Sequence, residues 1–280
     1  MRYRLAAFDV DGTLKPRYRP ITSRVRAAVG AARAAGVHVT IATGRMYRSA
    51  EGFVAELGLT APVICYGGAV ITDPQTGRPL HKRGVELREV QRIVEAGRAR
   101  GLGVLASFDD HMLFERVPDD SPFADYARRN FASLVPDLVA SLPDEPCHVA
   151  LITSAERSKS LVLELRAEFG EALHVTSGHP LLAEIYHPEA NKGVALARVA
   201  AMLGVKREAV LAAGDDWNDV AMLEYAGLGV AMADAAPEVR AVAGAVAPSA
   251  DDDGVAWVVE EIVLSKRYSD SAGGGTATKR

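Results

Sequence analysis

A chain of 280 residues, 49% hydrophobic and 24% charged, has the composition of a soluble globular protein with a real core. Its length exceeds the usual single domain, so one large or two smaller domains are expected. A net charge of −4 argues against a nucleic-acid partner, yet leaves a small anionic ligand open because local charge departs from the total. Leu5 to Phe8 is an apolar run of strand length, ending in Asp9-Val10-Asp11-Gly12-Thr13. A helical pattern from about Ser23 to Ala35 closes on Gly36. Val37 to Ala42 reads as a buried strand broken by Thr43-Gly44. A second helix, from about Met46 to Leu57, stops at Gly58, and Val63 to Tyr66 reads as a third strand. Apolar strands alternating with helices predict an α/β fold: a doubly wound, mostly parallel sheet covered on both faces.

From about Gly84 to Ile185 the pattern changes. Helical segments (Glu86–Arg100, Glu156–Phe169) alternate with strand candidates near Val104–Ser107, Met112–Glu115 and Val149–Thr153, and prolines interrupt often. This predicts an α+β domain over 84–185, inserted into a core made of 1–83 and 186–264. Core elements resume with a helix from about Lys192 to Leu203 and a strand Ala209–Ala213, followed by Gly214-Asp215-Asp216-Trp217-Asn218-Asp219. A helix, a short strand near Gly229–Ala231 and a final helix from about Val255 to Leu264 complete it. Residues 265–280, with Gly273-Gly274-Gly275, read as a disordered tail. No window approaches the ~18 uninterrupted apolar residues of a membrane span. The apolar run after Arg2 and Arg4 is too short for a signal peptide. A cytoplasmic protein without a membrane partner is expected, with Cys65 and Cys147 as buried free thiols.

In an open parallel sheet, ligands bind at the carboxyl ends of the strands near the point where strand order reverses. Asp9, Asp11, Thr43, Asp215 and Asp219 all fall at such ends. Carboxylates converging there repel one another, and a hard divalent cation with oxygen ligands is the simplest relief. Asp9 and Asp11 could divide the roles of in-line nucleophile and acid–base group, although Asp11-Gly12 also reads as a turn dipeptide. Thr43-Gly44 could offer a hydroxyl and N–H groups to a phosphate, or Thr43 could merely cap a helix. Lys192 sits in the first turn of a helix, where the dipole disfavours a cation unless an anion is near; an exposed lysine without a role reads as well. Asp215, Asp216, Asn218 and Asp219 make an oxygen-rich turn suited to Mg²⁺ or to helix capping.

Together, Asp9-Val10-Asp11-Gly12-Thr13, Thr43-Gly44-Arg45, Lys192 and Gly214-Asp215-Asp216-Trp217-Asn218-Asp219 resemble, in order and setting, the four motifs of the haloacid dehalogenase-like superfamily. The insertion after the second motif resembles the large α/β cap (type IIB) of its Cof-type hydrolases. The resemblance covers about residues 3–264 and implies a Rossmann-like core. It implies a Mg²⁺-dependent phosphomonoester hydrolase acting through an aspartyl phosphate on a small phosphorylated metabolite, with a sugar phosphate expected. Asp9 would be the nucleophile and a metal ligand. Asp11 would be the general acid–base, its backbone carbonyl also on the metal. Thr43 and Lys192 would orient the phosphate, and Gly44, Arg45 and Asn218 would contact substrate. Asp215 would bind the metal, with Asp219 acting behind it. A phosphomutase of the same superfamily and a non-catalytic phospholigand-binding regulator are the alternatives, and a monomer or homodimer is expected. Tyr66-Gly67-Gly68-Ala69 departs from the Asn-Gly-Ala that relatives often carry. Substrate choice is expected from the cap, and Arg45, His111, Arg116, His179, Glu184 and His187 are polar residues near predicted strand ends or hinges, without one standing out.

Overall fold

A computed structural model of the chain describes residues 2–108, 111–116 and 132–265. Its strands are β1 (Leu5–Phe8), β2 (His38–Ile41), β3 (Val63–Cys65), β4 (Val70–Thr72), β5 (Pro79–Lys82), β6 (Gly103–Ser107) and β7 (Met112–Phe114). They continue with β8 (Ala132–Leu134), β9 (His148–Ile152), β10 (His174–Thr176), β11 (Leu182–Tyr186), β12 (Val210–Gly214), β13 (Leu228–Met232) and β14 (Ala245–Ala247).

The strands β14-β13-β12-β1-β2 form one sheet in that order, every pair parallel. β1 shows why its sequence is apolar throughout. Leu5 and Ala7 enter a cluster with Leu196 and Val199 of helix Lys192–Met202. Ala6 and Phe8 enter another with Val25 and Val29 of helix Ser23–Ala34. A strand buried on both faces alternates between two cores rather than between core and water. Helix starts are set locally: the Thr22 hydroxyl accepts from Val25 N–H, and the Asn191 side chain from Val194 N–H. Gly58, with φ +58°, ends helix Tyr47–Leu57 in the left-handed conformation that glycine adopts without strain.

Register then builds the site. Phe8 is level with Ile41 of β2 and with Ala213 of β12. The residues just after these strands (Asp9, Thr43 and Asp215) therefore leave the sheet at one height. The chain goes from β1 to β2 on one side and enters β12, β13 and β14 on the other, so this is the crevice where strand order reverses.

The inserted cap contains a second sheet, β10-β11-β9-β6-β7-β8, antiparallel except for the β7–β8 pair. One face carries Val104, Ala106, Val149, Leu151, Ala183 and Ile185 against helices Leu87–Ala99 and Ala155–Phe169. By the period-2 rule, Leu105, Ser107, His148, Leu182, Glu184 and Tyr186 belong to the other face. The core motifs also dock the cap: the Trp217 ring lies 5.4 Å from Lys159 Nζ and 5.5 Å from the Arg166 guanidinium.

The third expected strand departs from the reading as part of the parallel sheet. β3 pairs antiparallel with β4, and β4 with β5, in a small sheet of its own; only the single bridge Ala42–Ile64 links β3 to β2. Tyr66, Gly67 and Gly68 have φ of +48°, +59° and +110°, a reversal too tight for a helical crossover. Cys65 and Cys147 are buried and outside any disulfide, as expected. No helix of the described residues is long and apolar enough to cross a membrane. The tail expected over 265–280 lies, from residue 266 onward, outside the described residues.

Candidate active site

Asp9 follows the last residue of β1, and the turn after it is closed by Leu14 N–H to Asp9 O and Lys15 N–H to Val10 O bonds. Gly12 makes this turn with φ +105°, and a Cβ there would stand 2.7 Å from Asp215 Cγ. Gly12→Ala is therefore expected to cost about 1–3 kcal/mol of stability and to displace Asp215, read as a lower urea midpoint. Thr13 donates its hydroxyl to Asp215 Oδ1 at 2.7 Å, tying the loop after β1 to the loop after β12.

Lys192 is fully buried at the start of its helix. Its ammonium donates to Asp9 Oδ1 and Asp219 Oδ1, both at 2.6 Å, and to Asn218 Oδ1 at 3.3 Å. Three donors thus meet three acceptors. Burial alone would lower the Lys192 pKa, but the charges of Asp219 and Asp9 outweigh it and hold the amine above its ordinary value. Asp219 is itself braced, because its Oδ2 accepts from the N–H groups of Asp215 and Asp216 at 2.9 and 3.0 Å.

The acids carry more charge than Lys192 balances. Asp9, Asp215 and Asp219 each place a carboxylate oxygen within 4.8 Å of the others. Burial pushes the Asp9 carboxyl up against the pull of Lys192, and Asp219 and Asp11 add to the push. Burial, followed by the charges of Asp9 and Asp219, raises Asp215 in the same way. A buried, all-oxygen set whose members repel one another fits a divalent cation.

Asp11 stands apart from that triad. Its carboxylate is held bidentate by Arg45 at 2.6 and 2.9 Å and by Lys15 at 2.8 Å. Burial would raise its pKa, but the hydrogen bonds and charge of Arg45, helped by Lys15, bring it below the ordinary carboxylate value. Thr43 is buried, and its hydroxyl accepts from Arg45 N–H at 3.1 Å, which leaves its proton free to donate elsewhere. Arg17 reaches Asp215 Oδ2 at 3.2 Å and Asp216 Oδ2 at 3.1 Å.

A cavity of about 330 Å³ opens over this cluster, floored by Asp9, Asp11, Thr43, Gly44, Arg45 and Asn218. Its roof comes from the cap. Of the polar candidates raised for substrate choice, Arg45, His179 and Glu184 line it; His111, Arg116 and His187 do not. Lys15, Arg17, Ser107 and His148 were not anticipated. Lys15 stands four residues after Asp11, and the turn at Gly12 brings the two charges together. Nothing local marks His148, whose placement depends on cap-strand register.

The chain matches the haloacid dehalogenase-like hydrolase family over residues 6–259. It is 30% identical over 264 residues to the 5-amino-6-(5-phospho-D-ribitylamino)uracil phosphatase YitU of Bacillus subtilis, covering 92% of this chain and 96% of that one. A solved haloacid dehalogenase-like hydrolase from B. subtilis superposes with a TM-score of 0.82 at 23% identity, over 92% of this chain and 99% of its own. The sugar phosphatase BT4131, of HAD subclass IIB, superposes with a TM-score of 0.79 at 20% identity, over 94% and 100% respectively. The chain belongs to the haloacid dehalogenase-like hydrolases, as a phosphatase acting on phosphoric monoesters.

Proposed function

We propose that the chain hydrolyses a small phosphorylated metabolite, a sugar or polyol phosphate, through a phosphoaspartyl intermediate on Asp9 with Mg²⁺ as cofactor. The observation that carries this reading is that Asp9 and Thr43 face one cavity, with Asp215 clustered against Asp9 and the Lys192 ammonium bonded to it. When bound, Mg²⁺ would be held by Asp9 and Asp215, with the Asp11 carbonyl and Asp219 in support, and would offset charge developing on the phosphoryl oxygens. Lys192 fixes Asp9 Oδ1, and the other carboxylate oxygen attacks phosphorus as the ester P–O bond breaks. The Thr43 hydroxyl orients a phosphoryl oxygen, and Lys192 would orient another by giving up its long 3.3 Å bond to Asn218, with Gly44, Arg45 and Asn218 beside them. Asp11 gives its proton to the leaving alkoxide, then takes one from the water that attacks the phosphoaspartate, releasing phosphate and restoring Asp9.

An acid must carry a proton, and Arg45 with Lys15 keeps Asp11 ionised in this arrangement. The incoming phosphate dianion is a competing bidentate partner for Arg45. Its arrival would free Asp11 to take up the proton that it later gives away.

The test is phosphate release from a panel of phosphomonoesters with and without Mg²⁺; release indifferent to chelation would remove the metal-assisted reading, and interconversion of isomers without release would favour a mutase. Metal binding also has a readout without turnover. In metal-free protein, the raised Asp9 and Asp215 contribute stability below the ordinary carboxylate pKa of about 4 and lose it as pH climbs through their raised values. Mg²⁺ would bind the ionised forms, so its rise in Tm should be larger at about pH 8 than at about pH 6. Asp215→Asn should shrink that rise; an equal rise at both pH values and in the variant would refute the site.

A further inference from the structure

The cavity roof holds a second polar group that the chemistry above does not use. Ser107 and His148 are directly paired across β6 and β9, and Glu184 on β11 lies diagonal to His148, because its own partner is Ala150. All three line the cavity among apolar neighbours that include Leu105, Met112 and Leu182. His148 is 5% exposed and Glu184 4%.

The hydrogen bonds here are incomplete in one place. His148 Nδ1 meets the Ser107 hydroxyl at 3.1 Å, and the ring stacks on Tyr186 with centroids 5.0 Å apart. Glu184 accepts from Gly178 N–H at 2.6 Å and from the Tyr186 hydroxyl at 3.1 Å. His148 Nε2, however, is buried without a hydrogen-bond partner among the described residues, and Glu184 Oε1 lies 3.9 Å from it. That separation is too long for a direct bond. It is short enough for one oxygen atom to reach both groups. Burial drives the His148 pKa down to about 3 and that of Glu184 up to about 7, so the imidazole is neutral and carries a single N–H.

With Glu184 ionised and the His148 proton on Nε2, a hydroxyl completes this arrangement. Ser107 O–H donates to Nδ1, Nε2–H donates to the incoming oxygen, and that oxygen donates its own proton to Glu184. Buried polar groups are satisfied in native structures by protein, water or ligand, and at a cavity lining a substrate hydroxyl can take that place.

We infer that Glu184 and His148 form the site that selects the substrate, by binding one hydroxyl of the alcohol portion of a sugar or polyol phosphomonoester. Ser107 is a positioning residue that sets the His148 tautomer. The inference rests on the phosphatase reading for its readout but not for its binding step.

The test compares matched pairs, such as ribose 5-phosphate with 2-deoxyribose 5-phosphate and glucose 6-phosphate with its monodeoxy forms, alongside p-nitrophenyl phosphate. The wild type should prefer one hydroxylated member over its deoxy partner by about 10- to 100-fold in kcat/KM. His148→Phe and Glu184→Gln should each erase most of that preference, chiefly through KM. Their loss on p-nitrophenyl phosphate, whose leaving group offers no such hydroxyl, should be at least about tenfold smaller. Ser107→Ala should weaken the same preference less, and it keeps the test open if either larger change prevents folding. Equal losses on all substrates, or a preference that survives in the variants, would overturn the assignment. If the wild type hydrolyses none of the panel, the phosphatase reading fails separately. Calorimetric binding of the same pairs then decides: hydroxyl-dependent binding lost in His148→Phe supports the site, and binding blind to the hydroxyl rejects it.

Discussion

Asp9→Asn is expected to lower kcat for phosphate release by on the order of 10⁴-fold or more, with circular dichroism unchanged. An amide is a poor nucleophile toward phosphorus and cannot form the acyl phosphate. The fold should persist because the Asn oxygen can still accept from Lys192, the one side-chain bond that Asp9 Oδ1 makes among the described residues. Removing a carboxyl that burial already disfavours also offsets part of what the Lys192–Asp9 pair contributes. Stability within about 1 kcal/mol of wild type is therefore expected, measured by urea unfolding. A variant that retains a near-normal rate would remove Asp9 as the nucleophile; one that unfolds would show that the Lys192–Asp9 pair matters more to the fold than its chemistry suggests.

Lys192→Met should be the more damaging change to the fold. It strips the ammonium from between two carboxylates in a fully buried position and leaves both without their counter-charge. Breaking a buried ion pair from one side costs about 3–5 kcal/mol. Activity should fall with it, since the phosphate loses its buried cation. Lys192 is raised above its ordinary 10.5, so its contribution is complete at every pH below that value and is lost only as pH climbs through the raised one. The difference between wild type and variant should therefore persist through neutral pH and narrow in acid, where the abandoned carboxylates take up protons. Adding Asp219→Asn to Lys192→Met should recover part of the loss, a coupling that a double-mutant cycle measures. Lys192→Arg should not restore the enzyme, because a planar, larger guanidinium cannot enter a site with no solvent exposure and meet the same three acceptors. Wild-type stability in Lys192→Met would mean that the triad contributes little to the native state.

The two variants separate chemistry from architecture at adjacent atoms. Asp9 is expected to matter for the reaction far more than for the fold, whereas Lys192 should serve both. Their difference follows from what each leaves behind: an amide that still accepts a hydrogen bond in one case, two uncompensated charges in the other.

Much of this was legible in the residues themselves. The apolar run Leu5–Phe8 ending at Asp9, the Thr43-Gly44 break and the acidic turn from Asp215 to Asp219 are local patterns. A strand buried on both faces leaves its mark on each of its residues, and a change to polar side chains marks where it ends. The α/β class, the inserted cap and the convergence of these strand ends could be argued on that basis. The hairpin after β3 was not, because Val63–Cys65 is apolar in either kind of sheet and only the positive φ values from Tyr66 to Gly68 turn it back.

Tertiary structure alone decided who meets whom. Asp219 reads as a helix-start acid, yet it is the buried brace beneath Lys192 and the N–H groups of Asp215 and Asp216. Arg45 reads as a substrate contact, and it clamps Asp11. His148 sits in an apolar run that suggests plain core, but cap-strand pairing places it in the cavity lining with its buried Nε2 3.9 Å from Glu184. Local composition records whether a side chain is buried and where a strand ends, because each residue feels those conditions itself. Partnerships between residues up to about two hundred positions apart depend on register and on how the cap sits over the core, and no single stretch of sequence holds both halves of such a contact.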